Sequence, residues 1–442
     1  MFKRKIYEKL LEWKTTSLGK TALLIEGARR VGKSTIVEEF AKNEYKSYII
    51  IDFAFATKDI QDLFEDMNNL DYFFLQLQLQ CAVDLYERNS LIVFDEVQFN
   101  PLARQAIKKL VADGRYDYIE TGSLISIRKN VNNILIPSEE TKIEMFPMDF
   151  EEFLWAVGDE ITNKLLYKAF MQKIPLGEGQ NRNMLRKFRL YMLVGGMPQA
   201  VKTYIETNNF KMVDKVKRDI ITLYEDDFYK IDPTGKISML FDAIPAELSR
   251  NSTRYQVSSV LKNERASNLL EKISELKASK TVLLTYNAND PDVGLTTNLN
   301  LDKFKIYLAD TGLMVTLMFK DKDFTENVIY QKLLSNKLSK NLGILYENIV
   351  AQTLYAKGNK LYYHAYYDTT QKRTFEIDFL LTSKNKINPI EVKSSNYRKY
   401  TSLDKFSKKH SDRINTKYLV HIKDLKKEQD ITFLPFYMTQ FL

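Results

Sequence analysis

Gly27-Ala28-Arg29-Arg30-Val31-Gly32-Lys33-Ser34-Thr35 decides how this chain is read. A glycine, four residues and then Gly-Lys-Ser is the pattern of a loop that wraps phosphate groups. The run before it, Ala22-Leu-Leu-Ile-Glu26, is short and apolar, as a buried strand requires, and Thr35 to Ala41 after it is helical in character. Gly27 and Gly32 therefore fall in a tight strand-to-helix turn, where a side chain would obstruct the phosphates. Main-chain N–H groups at the helix start face the anion, and the helix dipole favours negative charge there. The whole stretch from Gly27 to Thr35 is expected to line a nucleotide, with Lys33 reaching the β- and γ-phosphates and Ser34 ligating Mg²⁺.

Outward from the loop, strands and helices alternate. Tyr48-Ile-Ile-Ile-Asp52 reads as a second buried strand, and Asp59 to Glu87 as one long helical stretch. Leu91-Ile-Val-Phe-Asp95-Glu96 is the next strand and ends in two carboxylates. Asp95 is expected to hold Mg²⁺ through water, and Glu96 to orient and deprotonate an attacking water. Tyr116 to Ser123 reads as a fourth strand with a polar end. Strand ends of this kind gather at one edge of a parallel sheet, where ligands bind. Thr121 or Ser123 has two readings here: contact with the γ-phosphate or lytic water, and a helix cap for Leu124 onward. Lys142 to Pro147 is expected to close the sheet as a fifth strand.

The bulk numbers set bounds. At 442 residues the chain exceeds a single core, and 44% hydrophobic with 28% charged residues is a globular composition. No apolar run has the length of a membrane span, and Met1-Phe-Lys-Arg-Lys carries charge where a signal peptide needs an apolar core. One cysteine, Cys81, excludes an intrachain disulfide and fits a reducing cytoplasm; with only three histidines, it leaves little for a zinc site. A net charge of +8 permits nucleic-acid binding without requiring it.

In order, the phosphate loop, Asp95-Glu96, Thr121-Gly-Ser123, Phe146-Pro-Met-Asp-Phe-Glu-Glu-Phe-Leu154 and Tyr191-Met-Leu-Val-Gly-Gly-Met-Pro-Gln199 resemble the AAA-superfamily ATPases that carry a C-terminal DUF4143 region. The resemblance implies ATP and Mg²⁺ as cofactors and ATP hydrolysis as the activity. Relatives often show Gly-Arg shortly before the Pro-x-x-Phe segment, whereas this chain has Glu140-Thr-Lys142. Arg128 is the nearest candidate for a trans-acting arginine; its other reading is an exposed cation on a helix. Residues 1–155 are thus assigned to an AAA-type core and 156–232 to a helical lid, with Gly177 to Asn183 a polar loop.

Residues 233–325 read as three helices, Ile237 to Leu248, Tyr255 to Asn263 and Arg265 to Ala278. A hairpin of Thr281–Thr285 and Lys305–Leu308 follows, and together these make a winged helix. Arg265, Asn268 and Lys272 would face DNA on one reading; on the other the module docks protein. Residues 326–442 run helix, three strands, helix, strand. That order resembles the PD-(D/E)xK nuclease core, a restriction-endonuclease-like α/β fold. Glu347, Asp378, Glu391 and Lys393 match that family's helix Glu, strand Asp and E-x-K. The match implies metal held by Asp378 and Glu391, with Glu347 as the third carboxylate, and Lys393 either positioning the nucleophile or stabilising the developing charge. Tyr362, Tyr363, Tyr366 and Tyr367 are candidates for base stacking or for sheet core. Lys399, Lys405, Lys408, Lys409, Arg413 and Lys417 form an expected basic face. The fold class expected overall is α/β: a P-loop parallel sheet with helical lid, a winged helix, then a small nuclease-like domain. Candidate partners are ATP, DNA, a protein partner and further copies of the chain, without a membrane. Cleavage of DNA and an ATP-dependent switch that binds a protein partner are the two functions left open.

Overall fold

The computed structural model describes residues 1–122, 138–250, 252–261, 266–292, 294–322, 327–335, 342–395 and 398–442, with main chain only for 266–269 and 342. They form two compact units, residues 1–146 with 278–280, and residues 147–277 with 281–442.

The first unit is built on five parallel strands: β1 (Ala22–Glu26), β2 (Ser47–Asp52), β3 (Ser90–Asp95), β4 (Asp117–Gly122) and β5 (Glu140–Glu144). Their order is β2-β3-β4-β1-β5, so β4 lies between the strand that feeds the phosphate loop and the strand that ends in Asp95. Every residue of β3 and β4 is buried, as a sheet covered on both faces demands. One face packs Leu24, Ile49, Ile51, Ile92, Phe94 and Tyr118 against Phe73, Leu77, Ile107 and Leu110 from two helices. Register sets Asp52 opposite Asp95 and Thr121 opposite Ile25. The loop leaving β1, the acid ending β3 and the hydroxyl on β4 therefore share one sheet edge.

Two expectations are corrected here. Asp59 to Glu87 is not one helix but two, Lys58–Asp62 and Leu70–Cys81. Asn69 starts the second by accepting a hydrogen bond from the Tyr72 N–H, and a side chain that competes for main-chain donors resets the helix. The fifth strand begins two residues early, at Glu140, and stops at Glu144 before Pro147.

In the second unit, helices Phe150–Ala156, Thr162–Gln172, Glu178–Val194, Pro198–Thr207 and Phe210–Ile231 precede an eight-stranded mixed sheet. Gly177 to Asn183 is not a loop: Gly177, at φ 86°, precedes a helix that runs from Glu178 to Val194. The sheet contains β6 (Val282–Ala288), β7 (Leu299–Leu308), β8 (Tyr362–Asp368), β9 (Arg373–Ser383), β10 (Lys386–Lys393), β11 (Lys417–His421), β12 (Lys426–Glu428) and β13 (Ile431–Pro435). Its order is β12-β13-β11-β10-β9-β8-β6-β7.

Between residues 233 and 325 the helices are shorter than expected: Lys236–Asp242, Ile244–Ser249, the single turn Val257–Val260, and Ala266–Ala278. Pro245 in the first turn of the second helix splits the expected Ile237–Leu248 helix in two. The β6–β7 hairpin is not a free-standing wing. β6 pairs in parallel with β8 at Tyr286–Tyr362 and Asn287–Tyr363, which makes the hairpin one edge of the C-terminal sheet.

The Gly195-Gly196 and Asp310-Thr-Gly312 segments meet inside this unit. Asp310 accepts hydrogen bonds from the Gly196 N–H at 2.5 Å and the Leu313 N–H at 2.8 Å, the latter capping the helix Thr311–Met318. A Cβ on Gly312 would stand 2.5 Å from Gly195 Cα, so the close approach requires glycine. The buried Lys217 ammonium donates to Leu193 O at 2.8 Å and Gly312 O at 3.1 Å, and burial lowers its pKa to about 8.

Candidate functional site

The phosphate loop has the backbone its glycines permit. Gly32 is left-handed at φ 97° and leads into the helix Lys33–Glu44, whose first turn has no side-chain cap. A Cβ on Gly27 would come 2.4 Å from Met145 O, so this position is closed to any side chain. Arg4 props the loop from below: its Nη1 donates to Val31 O at 2.9 Å and its Nη2 to Phe146 O at 2.6 Å. Sequence reasoning missed that support, because Arg4 sits in a charged run that resembles a solvated terminus. Arg30 is left-handed at φ 69°, a conformation that costs an L-residue about 1–2 kcal/mol.

Lys33 is buried, with Nζ donating to Gly27 O at 3.0 Å and Ala28 O at 3.1 Å. Burial lowers its pKa; Glu96 and Asp95 pull the other way, and Arg29 adds to the lowering. Ser34 Oγ donates to Asp95 Oδ1 at 3.1 Å, and Thr121 Oγ1 donates to the same oxygen. Thr121 is thus engaged in the site as a hydroxyl at the strand end. Ser123 and Arg128 lie outside the described residues. Glu96 follows Asp95 in a left-handed conformation, φ 51°, and accepts a hydrogen bond from Gln98 Nε2. Gln98 is a second residue that sequence reasoning passed over, since a glutamine two places beyond an acid carries no signature.

Two hydroxyls and a carboxylate converging beside an ammonium, with uncapped helix amides next to them, suit Mg²⁺ and a triphosphate. Mg²⁺ takes oxygen donors, keeps several waters and is typically held by one or two carboxylates plus phosphates. A helix N-terminus favours the anion.

A second cluster occupies the C-terminal sheet. Glu347 lies on the helix Leu342–Ala356, Asp378 on β9, and Glu391 and Lys393 on β10. Asp378 accepts a hydrogen bond from the Val392 N–H at 2.7 Å, and Lys393 Nζ lies 2.7 Å from Glu391 Oε1. The Asp378 carboxyl is pushed well above its usual range by burial, then by repulsion from Glu347 and Glu376. Burial also raises Glu391, against the pull of Lys393. The four residues named from sequence therefore act on one another electrostatically.

Sequence reasoning missed two neighbours, Lys305 and Tyr307. Lys305 Nζ, from β7, donates to Glu376 Oε1 and lies 3.9 Å from Glu347 Oε2, while Tyr307 donates to Glu347 at 3.3 Å. Glu376 shares a strand face with Asp378, so the period-two rule pointed to it; nothing local pointed to Lys305. Among the described residues, no group of three or more His, Cys, Asp or Glu is arranged to hold a metal ion.

Three of the six residues of the expected basic face are paired with acids. Lys405 pairs with Asp368 at 2.6 Å, Arg413 with Asp290 at 2.5 Å, and Lys417 with Asp430. Tyr362 and Tyr363 are buried in the sheet, whereas Tyr367 is 60% exposed. Lys272 pairs with Glu275 at 3.0 Å, Arg265 lies outside the described residues, and the Asn268 side chain is among those not described. Among the described residues no helix is long and apolar enough to cross a membrane.

Comparison with known proteins supplies the remaining findings. Residues 19–154 match the family AAA_14, described as an AAA domain. Residues 185–323 and 342–438 match two domains of unknown function, DUF8612 and DUF4143. No curated protein matches the chain. Among solved structures, a Walker-type ATPase of Pyrococcus abyssi is similar at 16% identity over 72% of this chain and 96% of that one, with a TM-score of 0.42. The Aeropyrum pernix ORC1 protein in complex with DNA is similar at 11% identity over 76% and 93%, with a TM-score of 0.28. The Thermotoga maritima RuvB Holliday junction branch migration motor is similar at 12% identity over 66% and 90%, with a TM-score of 0.28.

Proposed function

We propose that this chain, an AAA-superfamily protein with a DUF4143 region, binds ATP with Mg²⁺ and hydrolyses it. One observation carries the reading: the Ser34 and Thr121 hydroxyls converge on one oxygen of Asp95, beside a lysine held by the phosphate loop. In this reading the amides from Gly27 to Thr35 grip the phosphates and Lys33 turns from its loop carbonyls onto the β- and γ-oxygens. Ser34 and Asp95 would hold Mg²⁺, which neutralises charge on the phosphates. Thr121 keeps Asp95 in its rotamer, and Glu96 receives a proton from the attacking water. Phosphate release from ATP by the full chain, with Mg²⁺ and with EDTA, tests the proposal. Release that requires Mg²⁺ supports it, and no release in either condition contradicts it.

For the C-terminal region we propose a nuclease-like site that acts on DNA under control of the ATPase. The mutual electrostatic influence of Glu347, Asp378, Glu391 and Lys393 supports it. A second reading, an ATP-dependent switch that binds a protein partner, is favoured by Lys305, which already neutralises Glu376, and by the acids paired along the basic face. Incubation with plasmid and single-stranded DNA, with Mg²⁺ and with and without ATP, separates the two. Cleavage selects the first. Intact DNA together with ATP-dependent recovery of one protein partner selects the second.

A further inference from the structure

The first unit consists of residues 1–146 and one later stretch, Ala278–Lys280, which follows the helix Ala266–Ala278 and precedes β6. That stretch brings in a lysine. Lys280 Nζ donates to Glu144 Oε2 at 2.9 Å and lies 3.6 Å from Glu26 Oε2. The two acids end β5 and β1 and stand opposite each other in the parallel register. Glu26 immediately precedes Gly27, the first glycine of the phosphate loop. Glu144 immediately precedes Met145, whose N–H donates to Glu26 O at 2.8 Å and whose carbonyl closes Gly27 to any side chain. Each acid therefore starts one residue from the packing that seats the loop. Side-chain exposures of 18% for Lys280, 13% for Glu26 and 24% for Glu144 keep the trio largely out of bulk solvent, where screening would weaken it. Without a cation beside them, two carboxylates here would repel a triphosphate.

We propose that Lys280 is a positioning residue of the nucleotide site: its ammonium offsets the charge of Glu26 and Glu144 and ties the two strand ends together, so that the loop accepts a triphosphate. The inference rests on the ATP-binding reading of that loop and adds to it a residue from outside the stretch that matches the AAA domain. That match covers residues 19–154, whereas Lys280 falls in the DUF8612 match, residues 185–323. Lys280 acts through the two acids and touches no reacting atom. Its influence is felt alike by bound ATP and by the transition state, so its loss weakens binding and leaves the chemical step nearly as it was.

The test measures the affinity of the full-length chain for a non-hydrolysable ATP analogue with Mg²⁺, by calorimetric titration, and ATP turnover beside it. Lys280→Met should weaken affinity by about tenfold and raise KM to match, with kcat changed less than about threefold. The difference from wild type should shrink as salt is raised. Lys280→Arg should recover most of the affinity. The double variant Lys280→Met, Glu144→Gln returns the trio to the formal charge it has in wild type, and should bind within about threefold of wild type. A purely structural Lys280 would not be rescued by losing a second side chain. Glu144→Gln alone should bind at least as tightly as wild type, and with Lys280→Arg it carries the test should Lys280→Met fail to fold. Wild-type affinity in Lys280→Met, a double variant no better than Lys280→Met, Lys280→Arg without recovery, or weaker binding in Glu144→Gln overturns the inference alone. A wild-type chain that binds no ATP overturns both the nucleotide reading and the inference.

Discussion

Ser34 Oγ lies 3.1 Å from Asp95 Oδ1, although 61 residues separate the two in sequence. The contact exists because β4 places the loop after β1 and the end of β3 at one sheet edge, with Thr121 between them. Asp95→Asn keeps the shape and one acceptor but removes the charge. It should lower Mg²⁺-dependent ATP turnover by about a hundredfold or more, while nucleotide binding in EDTA stays near wild type. A turnover assay with a Mg²⁺ titration checks both.

Glu96 and Asp95 are adjacent in sequence but differ in their partners: Asp95 accepts from Ser34 and Thr121, and Glu96 accepts from Gln98. Glu96 itself is left-handed at φ 51°. Glu96→Gln should retain ATP affinity within about threefold and reduce single-turnover hydrolysis by about a hundredfold or more. Unchanged turnover would remove Glu96 from its role as the base.

Gly312→Ala should destabilise the chain by about 1–3 kcal/mol, because its new methyl would meet the Gly195 main chain. Gly179→Ala is the control. Gly179 is helical with nothing within 4 Å of an added Cβ, so alanine should be neutral or stabilising by up to about 1 kcal/mol. Urea unfolding of the three proteins gives the comparison.

Asp378 provides a test that depends on pH. Its folded pKa is raised above the unfolded value, first by burial and then by Glu347 and Glu376. The folded state therefore binds more protons, and this group's stabilising contribution, present at low pH, is lost as pH rises above the usual aspartate range. Asp378→Asn should raise stability at pH 7 by about 1 kcal/mol or more, with the gain vanishing near pH 4. The nuclease-like reading adds that Mg²⁺ should raise the melting temperature of wild type and not of Asp378→Asn. Thermal melts at both pH values, with and without Mg²⁺, read out each effect.

Where function imposes a local sequence, the chain could be read directly. Gly27 and Gly32 are read from the local pattern, and the structure gives a steric reason for each: a Cβ on Gly27 would meet Met145 O, and Gly32 is left-handed at φ 97°. Asp310 is equally local in its action, capping Leu313 three residues away. What escaped notice acts over distance. Lys305 meets Glu376 across 71 residues, and Arg4 reaches Phe146 across 142. Neither partner can be inferred from spacing. The β6–β7 hairpin has wing-like local chemistry, but its free edge finds a partner in β8, which only the folded sheet reveals. Arg413 and Lys405 look bare in sequence for the same reason: Asp290 and Asp368, which pair with them, are distant in the chain.

Calorimetric titration of ATP into the purified chain with Mg²⁺, beside Lys33→Ala, bears most directly on the central claim. The loop itself holds the Lys33 ammonium, through Gly27 O and Ala28 O. Wild type should bind one ATP per chain with measurable heat and Lys33→Ala should show none. Equal heats from the two proteins, or none from wild type, would contradict the account.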